Sequence, residues 1–279
     1  MASKECEQST FYGRCTLMIT SNRSFFCELY DRRDVLSKLV SQQLILRYRR
    51  TALGYLWTLI NPLLMMSVMA FVFAALFKQD LKTFTVFLFA GMIPWNFFSS
   101  VVTQSGASFI TNEGLIKKIY LPKGIFPLSI AFALLIDSML SFVALFAIIL
   151  LIGGSLSWAV LFLPIAFLLL FLFSLGIGLI ISVATVFFRD LQYVVSIAIQ
   201  GLFFLTPVLY QRNALAGKVA WLVDLNPVVP FIELFRAPLS QAVFPSASAI
   251  VHASLISFLA LAIGLLVLFR QEKNIVFRL

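Results

Sequence analysis

The chain has 279 residues, of which 61% are hydrophobic and 12% charged, with a mean hydropathy of +1.00. A soluble domain of this length has too little interior for so much apolar surface, so the composition excludes that class and predicts a polytopic membrane protein. The net charge is +9, but the basic residues do not form one run and few aromatics lie among them in a polar context, so the excess fits the positive-inside rule better than a nucleic-acid partner. All three cysteines precede the first apolar span without CxxC spacing, and they indicate reduced thiols.

The first 50 residues divide into a leader and a helix. Residues 1–30 show no hydrophobic period, so we expect a poorly ordered cytosolic leader without a cleavable signal peptide. From Asp31 the apolar residues recur at helical spacing, with Lys38 and Ser41 on the other face. This pattern predicts an amphipathic helix over residues 31–50 that lies along the cytosolic membrane interface.

A basic cluster marks the cytosolic end of the first apolar span. The polar segment ends with Arg47, Tyr48, Arg49 and Arg50, and the aromatic pair Tyr55 and Trp57 follows. Positive charge beside interfacial aromatics and an apolar run is typical of the point where a chain enters the bilayer from the cytosol.

Six apolar segments predict a single transmembrane domain over residues 51–279. We place the spans at about residues 51–77, 84–102, 126–152, 158–188, 191–209 and 250–269. An even number of crossings leaves both termini on one side, and 16 of the 21 lysines and arginines lie on that side. Cytosolic termini and an all-α membrane fold are therefore expected.

The return loop between spans two and three contains a short helical pattern. Asn112 is a favourable N-cap, acidic and basic residues suit the first and last turns, and Pro122 ends the pattern. One face is apolar, so the segment is more than a solvated linker. Its residues are Asn112, Glu113, Leu115, Ile116, Lys117, Lys118, Ile119 and Tyr120.

The long external region, residues 210–249, is too apolar for a free loop. Prolines alternate there with apolar residues at helical spacing, which predicts short helices that dip partly into the outer leaflet. The residues that mark this segment are Trp221, Pro227, Pro230, Phe231, Glu233, Phe235 and Arg236.

The sequence offers little catalytic chemistry. Gly217-Lys218 lacks the upstream glycine of a phosphate-binding loop, and His252 is the only histidine. We therefore expect no enzymatic activity, metal or cofactor in this chain. Asp137 is the one carboxylate placed well inside a span; it either acts in transport or holds helices together, and the scarcity of other intramembrane charges favours the second interpretation.

Two aromatic clusters coincide with helix breaks, at residues 94–98 and 203–210. Most phenylalanines in such a chain face lipid or pack helices together. Aromatic rings also stack on the apolar faces of sugars, so a path lined by these clusters would suit a glycan. The hypothetical lining residues are Tyr55, Trp57, Trp95, Phe97, Phe98, Phe203, Phe204 and Tyr210.

Together these segments resemble a known family. Residues 46–57, 91–98, 117–122, 188–190 and 206–210 with 225–227 carry motifs in the family's order. From Asp31 onward the chain resembles the membrane subunit of bacterial polysaccharide ABC exporters, the ABC-2 permeases of O-antigen, capsule and teichoic-acid export. Its leader is longer than is usual in that family.

The resemblance implies a homodimer of six-span subunits in the bacterial inner membrane, with two cytosolic ATPase subunits that bind ATP and Mg²⁺. The segment 112–120 would be the ATPase-coupling helix, and residues 210–249 would form the external gate. The implied substrate is a glycan on a polyprenyl diphosphate, foremost the O-antigen of lipopolysaccharide. Arg47, Tyr48, Arg49 and Arg50 would meet the diphosphate, because guanidinium groups bind phosphate oxygens, although setting topology explains each arginine equally well.

Several alternatives remain open. A permease for capsular polysaccharide or teichoic acid fits the same motifs. An ABC-2 efflux permease for a small lipophilic compound fits the fold but not the aromatic clusters. A membrane-embedded transferase would need clustered acids or histidines at one membrane face, and a secondary carrier would show an inverted repeat; neither feature is visible.

Overall fold

The computed structural model describes residues 31–48, 53–152, 157–211 and 220–279, and these contain helices and no strand. The predicted all-α membrane class is confirmed. The helices are α1 (Arg33–Tyr48), α2 (Trp57–Phe77), α3 (Leu81–Gly106), α4 (Ser108–Thr111), α5 (Glu113–Lys118), α6 (Ile125–Ile152), α7 (Leu163–Phe187), α8 (Leu191–Leu205), α9 (Ala220–Leu225), α10 (Val229–Ser240) and α11 (Ala247–Arg278), with 3₁₀ turns at Gly54–Leu56 and Trp158–Phe162. The predicted leader lies outside the described residues.

Five of the described helices are long and apolar enough to cross a membrane: α2, α3, α6, α7 with its preceding 3₁₀ turn, and α11. Helix α8 has 15 residues and rises about 22 Å, whereas a bilayer's hydrocarbon core is about 30 Å thick. It ends at Leu205, short of the predicted boundary at residue 209, and six full crossings remain a prediction. Helix α11 continues past Phe269 to Arg278.

A tight turn joins α2 to α3 where the sequence places the first external loop. Lys78 adopts a left-handed conformation with φ of 53°, and it closes α2 through bonds to the last turn. The Asp80 carboxylate accepts the backbone N–H of Thr83 at 3.1 Å and thereby caps α3. This hydrogen bond and a second one from the Thr83 hydroxyl hold the pKa of Asp80 below its usual value.

Helix α7 lies at the centre of the bundle, and its closest partner is α11. Their backbones meet at Gly176 and Gly264, where a Cβ on Gly264 would lie 2.5 Å from the Gly176 carbonyl oxygen. Ser257 also donates across the pair to the Leu169 carbonyl at 2.8 Å. Small residues and hydroxyl bonds at a helix crossing are the usual means of packing helices in lipid, where apolar contact alone gives little preference.

Helix α10, which belongs to the region predicted to be external, is embedded in this bundle. Phe231 stacks on Phe173 of α7 at 4.8 Å between centroids, and Phe235 meets Phe167 edge to face at 4.7 Å. Both rings of α10 are fully buried. Aromatic pairs of this kind add to the burial of their area, so the segment is docked against the spans.

The glycine contact makes a sharp prediction. Gly264→Ala forces a methyl group onto the α7 backbone, and it should lower the unfolding free energy of the purified protein by about 1–3 kcal/mol through overpacking. Thermal unfolding in one detergent measures this change. Gly201→Ala on α8 is the matched control, since no atom lies within 4 Å of its added Cβ, and it should leave the midpoint unchanged or raise it. Equal midpoints for the two variants would contradict the close packing.

Candidate functional site

A buried arginine organises the side of the molecule that the sequence predicts to be external. The side chain of Arg236 on α10 is almost fully enclosed, with 7% of the residue exposed. Its Nη1 donates to the Pro207 carbonyl, and its Nη2 donates to the Val208 carbonyl at 2.5 Å. Both carbonyls lie beyond the end of α8, where no helical N–H is available for them, so the guanidinium supplies the missing donors.

Helix α3 forms the other wall around the same guanidinium. The Phe87 ring lies beneath it, with 3.8 Å from Cζ to the ring centroid. Gly91 follows one turn later, and a Cβ there would lie 2.8 Å from Nη2. The charge therefore occupies a space that exists because Gly91 has no side chain, and its electrostatic attraction to the ring partly replaces lost hydration.

A second polar contact ties the end of α8 to the segment between α9 and α10. Asn226 Nδ2 donates to Thr206 Oγ1 at 2.8 Å, while Asn226 Oδ1 accepts the Val228 N–H at 3.0 Å. Thr206 in turn donates to the Leu202 carbonyl at 2.7 Å. We call the combined set the arginine anchor: Gly91, Thr206, Pro207, Val208, Asn226 and Arg236. It brings together three segments that are far apart in sequence.

The other residues expected at the external gate differ in their surroundings. Trp221 on α9 and Pro227 between the helices are exposed, whereas Pro230 and Glu233 are half-buried. Phe231, Phe235 and Arg236 are buried in the bundle. In the described part of this segment, α9 therefore carries exposed side chains, whereas α10 is packed into the bundle.

The hypothetical path aromatics are not gathered on one surface of the subunit. Trp95 packs against Phe203 at 5.4 Å and Phe98 at 5.9 Å, and Phe98 stacks on Phe173 of α7 at 5.3 Å. By contrast Phe204 is 72% exposed, and the Tyr210 hydroxyl donates to its carbonyl at 3.0 Å.

Other members of that set lie elsewhere. Phe97 is buried beside Phe171 of α7, and Trp57 is partly exposed at the start of α2. The Tyr55 side chain is outside the description. A continuous aromatic lining therefore does not exist within the described part of a single subunit.

The return loop that the sequence predicts to be cytosolic forms the predicted short helix, α5. Asn112 occupies its N-cap position as predicted, but the side chain makes no capping hydrogen bond, and its Nδ2 donates back to the Ser108 carbonyl at 2.8 Å. Glu113 pairs with Lys117 at 2.5 Å along one face. This hydrogen bond, together with the charges of Lys117 and Arg189, lowers the pKa of Glu113.

The apolar residues of this segment divide between two surfaces. Ile116 is buried against the bundle and Leu115 is half-buried, whereas Ile119 is 51% exposed and Tyr120 68% exposed. Lys117 and Lys118 are exposed as well. The segment is thus anchored by Ile116 and presents Ile119, Tyr120, Lys117 and Lys118 outward. We call these four the cytosolic surface patch, after the side of the membrane that the sequence predicts for them.

A charge contact fixes this patch to the end of the chain. Lys123, whose side chain is 9% exposed, lies 3.7 Å from Glu272 of α11 and 4.9 Å from the centroid of the Tyr120 ring. The return loop and α11 are therefore connected beneath the bundle. Movement of one would disturb a mostly enclosed ion pair in the other.

The basic cluster is only partly described. Arg47 and Tyr48 form the last turn of α1, which packs against α6, and their side chains lie outside the described residues. Arg49 and Arg50 are also outside them. Their role at a lipid head group stays a prediction.

Sequence reasoning missed the polar surroundings of Asp137. This residue lines a cavity between α2, α3 and α6 together with amide and hydroxyl side chains. A signal was present: Asp137 and Ser141 on α6, like Asn96 and Ser100 on α3, are four residues apart and so share a helix face. Polar residues at that spacing inside apolar spans indicate a common polar surface.

Comparison with known proteins gives a consistent result. The family described as ABC-2 type transporter matches residues 35–239. The O-antigen export system permease protein RfbA of Klebsiella pneumoniae is 34% identical over 208 residues, 73% of this chain and 79% of the relative. The protein of the same name from Myxococcus xanthus is 31% identical over 236 residues, 84% and 91% of the two chains. The polysialic acid transport protein KpsM of Escherichia coli is 27% identical over 235 residues, 82% and 89%.

The arginine anchor predicts that a positive charge at residue 236 does not by itself maintain the stability of the protein. Arg236→Lys keeps the cation but cannot donate from two rigid positions to both carbonyls, so one buried acceptor is left unpaired at a cost of about 1–3 kcal/mol. Thermal unfolding of the purified protein measures the loss. Arg270→Lys on the exposed face of α11 is the control and should change stability by at most about 0.5 kcal/mol. An Arg236→Lys protein as stable as this control would refute the bidentate role.

Proposed function

Since the chain belongs to the ABC-2 type transporter family, we propose that it is the membrane subunit of an ATP-driven polysaccharide exporter. The cargo is a glycan linked to a polyprenyl diphosphate, foremost O-antigen, which moves from the cytosolic to the periplasmic side of the inner membrane. The observation that carries this proposal is the identity of more than 30% with O-antigen export permeases over most of both chains. The similarity to a polysialic acid transport protein supports capsule export as the second candidate.

We propose that energy comes from a separate subunit. The sequence contains no phosphate-binding loop, so two partner ATPases bind ATP and Mg²⁺ beneath a homodimer of this chain. The cytosolic surface patch supports this division, because it combines exposed apolar side chains with two lysines on a helix anchored to the bundle. Its contact with Glu272 through Lys123 offers a mechanical link from the ATPase to α11.

The proposed path uses the two ends of the subunit differently. On the cytosolic side, Arg47, Arg49 and Arg50 bind the diphosphate through guanidinium hydrogen bonds, with Tyr48 beside them. Farther along, the exposed ring of Phe204 and the partly exposed ring of Trp57 contact sugar faces. The buried rings of Trp95 and Phe98 support that surface from behind through Phe203.

On the periplasmic side, α9 and α10 form the gate. The arginine anchor holds α10 to α3 and to the end of α8, while Trp221 on α9 remains exposed. A gate with one fixed and one outer helix can open without unfolding the bundle, because the buried polar contacts stay intact.

Deleting the gene in its own bacterium tests the function. Loss of long-chain lipopolysaccharide from the surface, with the lipid-linked glycan retained inside the cell, is the expected result. Electrophoresis of lipopolysaccharide and fractionation of the glycan lipids measure both. Complementation with the Gly201→Ala variant serves as a positive control for the plasmid-borne chain. Normal lipopolysaccharide with loss of capsule would select the second candidate, and normal export of both polymers would overturn the proposal.

The cytosolic surface patch predicts which substitutions uncouple the complex. Tyr120→Asp and Ile119→Asp place a carboxylate on an exposed apolar contact, so co-purification of the ATPase should fall at least tenfold and export with it. Phe244→Asp, at an exposed aromatic in the connection between α10 and α11, is the matched control and should retain the ATPase. Ile116 is unsuitable for this test because it is buried. Wild-type amounts of bound ATPase in both patch variants would exclude this docking surface.

A further inference from the structure

A cavity of about 510 Å³ lies between α2, α3 and α6. Its volume is within the range of about 300–1,000 Å³ that is usual for small-molecule sites. The polar part of its wall consists of Asn61, Asn96, Ser100, Asp137, Ser138 and Ser141. All three helices are among those long and apolar enough to span a membrane, so these groups lie within the spanning part of the bundle.

The polar wall is held by the helices themselves. Ser138 and Ser141 are each only 8% exposed, and the Ser141 hydroxyl donates to the Asp137 backbone carbonyl at 3.1 Å. Asp137 and Asn96 are half-buried, and the exposed Asn61 lies at the rim. Polar side chains at this depth cost free energy unless they have polar partners, which makes a shared polar cavity a candidate for function.

The opposite part of the wall is apolar. Met66 and Phe97 are buried there, and Met69 and Met92 contribute thioether side chains that adapt to irregular shapes. A ligand that fits this cavity therefore needs a hydroxyl-rich edge and an apolar face. An acyl chain would leave the amides, hydroxyls and carboxylate without new partners, whereas a pyranose ring has both kinds of surface.

The charge of the cavity lining favours a sugar over a phosphate group as the ligand. No lysine or arginine occurs in the described lining of the cavity, and its one ionisable side chain is the Asp137 carboxylate. A diphosphate would be repelled by this carboxylate, but sugar hydroxyls can donate to it in charge-assisted hydrogen bonds. The cavity is thus chemically distinct from the basic cluster at residues 47–50.

We propose that the cavity between α2, α3 and α6 is a sugar-binding site, in which Asp137 accepts hydroxyl groups of one unit of the exported glycan. Asn96 and Ser100 complete the polar edge, and Phe97 with the methionines contacts the ring's apolar face. This inference rests on the proposed export function and adds a binding site for its cargo. It gives Asp137 a role in transport, in place of the purely structural role favoured from the sequence.

Photocrosslinking in cells tests the site directly. A benzoylphenylalanine is introduced at residue 69, which lines the cavity, or at residue 68, which neighbours it on α2 but is exposed and does not line the cavity. The probe is the cell's own lipid-linked glycan, detected as a glycan-positive band of the full chain expressed with its ATPase partner. Capture at residue 69 should exceed capture at residue 68 at least tenfold. Equal capture at both positions, or none at residue 69 while export is normal, would overturn the site and leave the export function standing.

Substitution of Asp137 provides the second readout. Asp137→Leu removes the hydroxyl acceptor at similar volume and should lower both capture at residue 69 and export at least tenfold, whereas Asp137→Asn keeps an acceptor oxygen and should lose less. The amount of protein in the membrane and of co-purified ATPase should not change. Undiminished capture with Asp137→Leu would refute the carboxylate's role. Failure of the export function itself would appear separately, as normal surface polysaccharide in the gene deletion.

Discussion

One end of the helix bundle, predicted to be the external one, depends on a guanidinium group that has exchanged water for two carbonyl oxygens and an aromatic ring. Moving such a charge out of water costs several kcal/mol, and it is tolerated only where protein groups replace the lost hydration. The chain beyond α8 has the complementary requirement, because its carbonyls at Pro207 and Val208 are enclosed without helical donors. Each partner compensates for the other's desolvation. The helix break, the absence of a side chain at Gly91 and the placement of α10 are therefore parts of one arrangement.

The packing around α7 explains why this arrangement can be rigid while the cytosolic end remains available to a partner. Helix α7 contributes rings to α10 near its first residues and a glycine to α11 near its middle, and both contacts bury backbone and aromatic area. At the other end of the bundle, Lys123 before α6 pairs with Glu272 of α11, next to the exposed residues of the return loop. These aromatic and glycine contacts thus lie away from the surface that a cytosolic subunit would contact.

The all-α class, the helix within residues 31–50 and the short return-loop helix follow from composition and periodicity, because these patterns depend on local geometry alone. Asn112 is at the predicted N-cap position, but its side chain makes no capping hydrogen bond, and its amide group donates to the Ser108 carbonyl. The contacts of Arg236 and the grouping of Asn61 with Asp137 depend on residues far apart in sequence, and one sequence does not specify such pairs. The sequence also does not show which aromatic rings are buried. The rings near residue 95 are expected along a substrate path, but they pack against α7 and α8 and are enclosed.

Helix α8 is too short for the hydrocarbon core of an ordinary bilayer, and its outer end is tied down at Thr206. A short helix held in this way creates hydrophobic mismatch, which lipids relieve by compressing toward the protein. The neighbouring membrane would then be thinner than its surroundings on the α8 side of each subunit. If a polysaccharide crosses beside α8 as proposed, it would meet a shorter apolar barrier, so the length of one helix would lower the work of transport for every sugar unit.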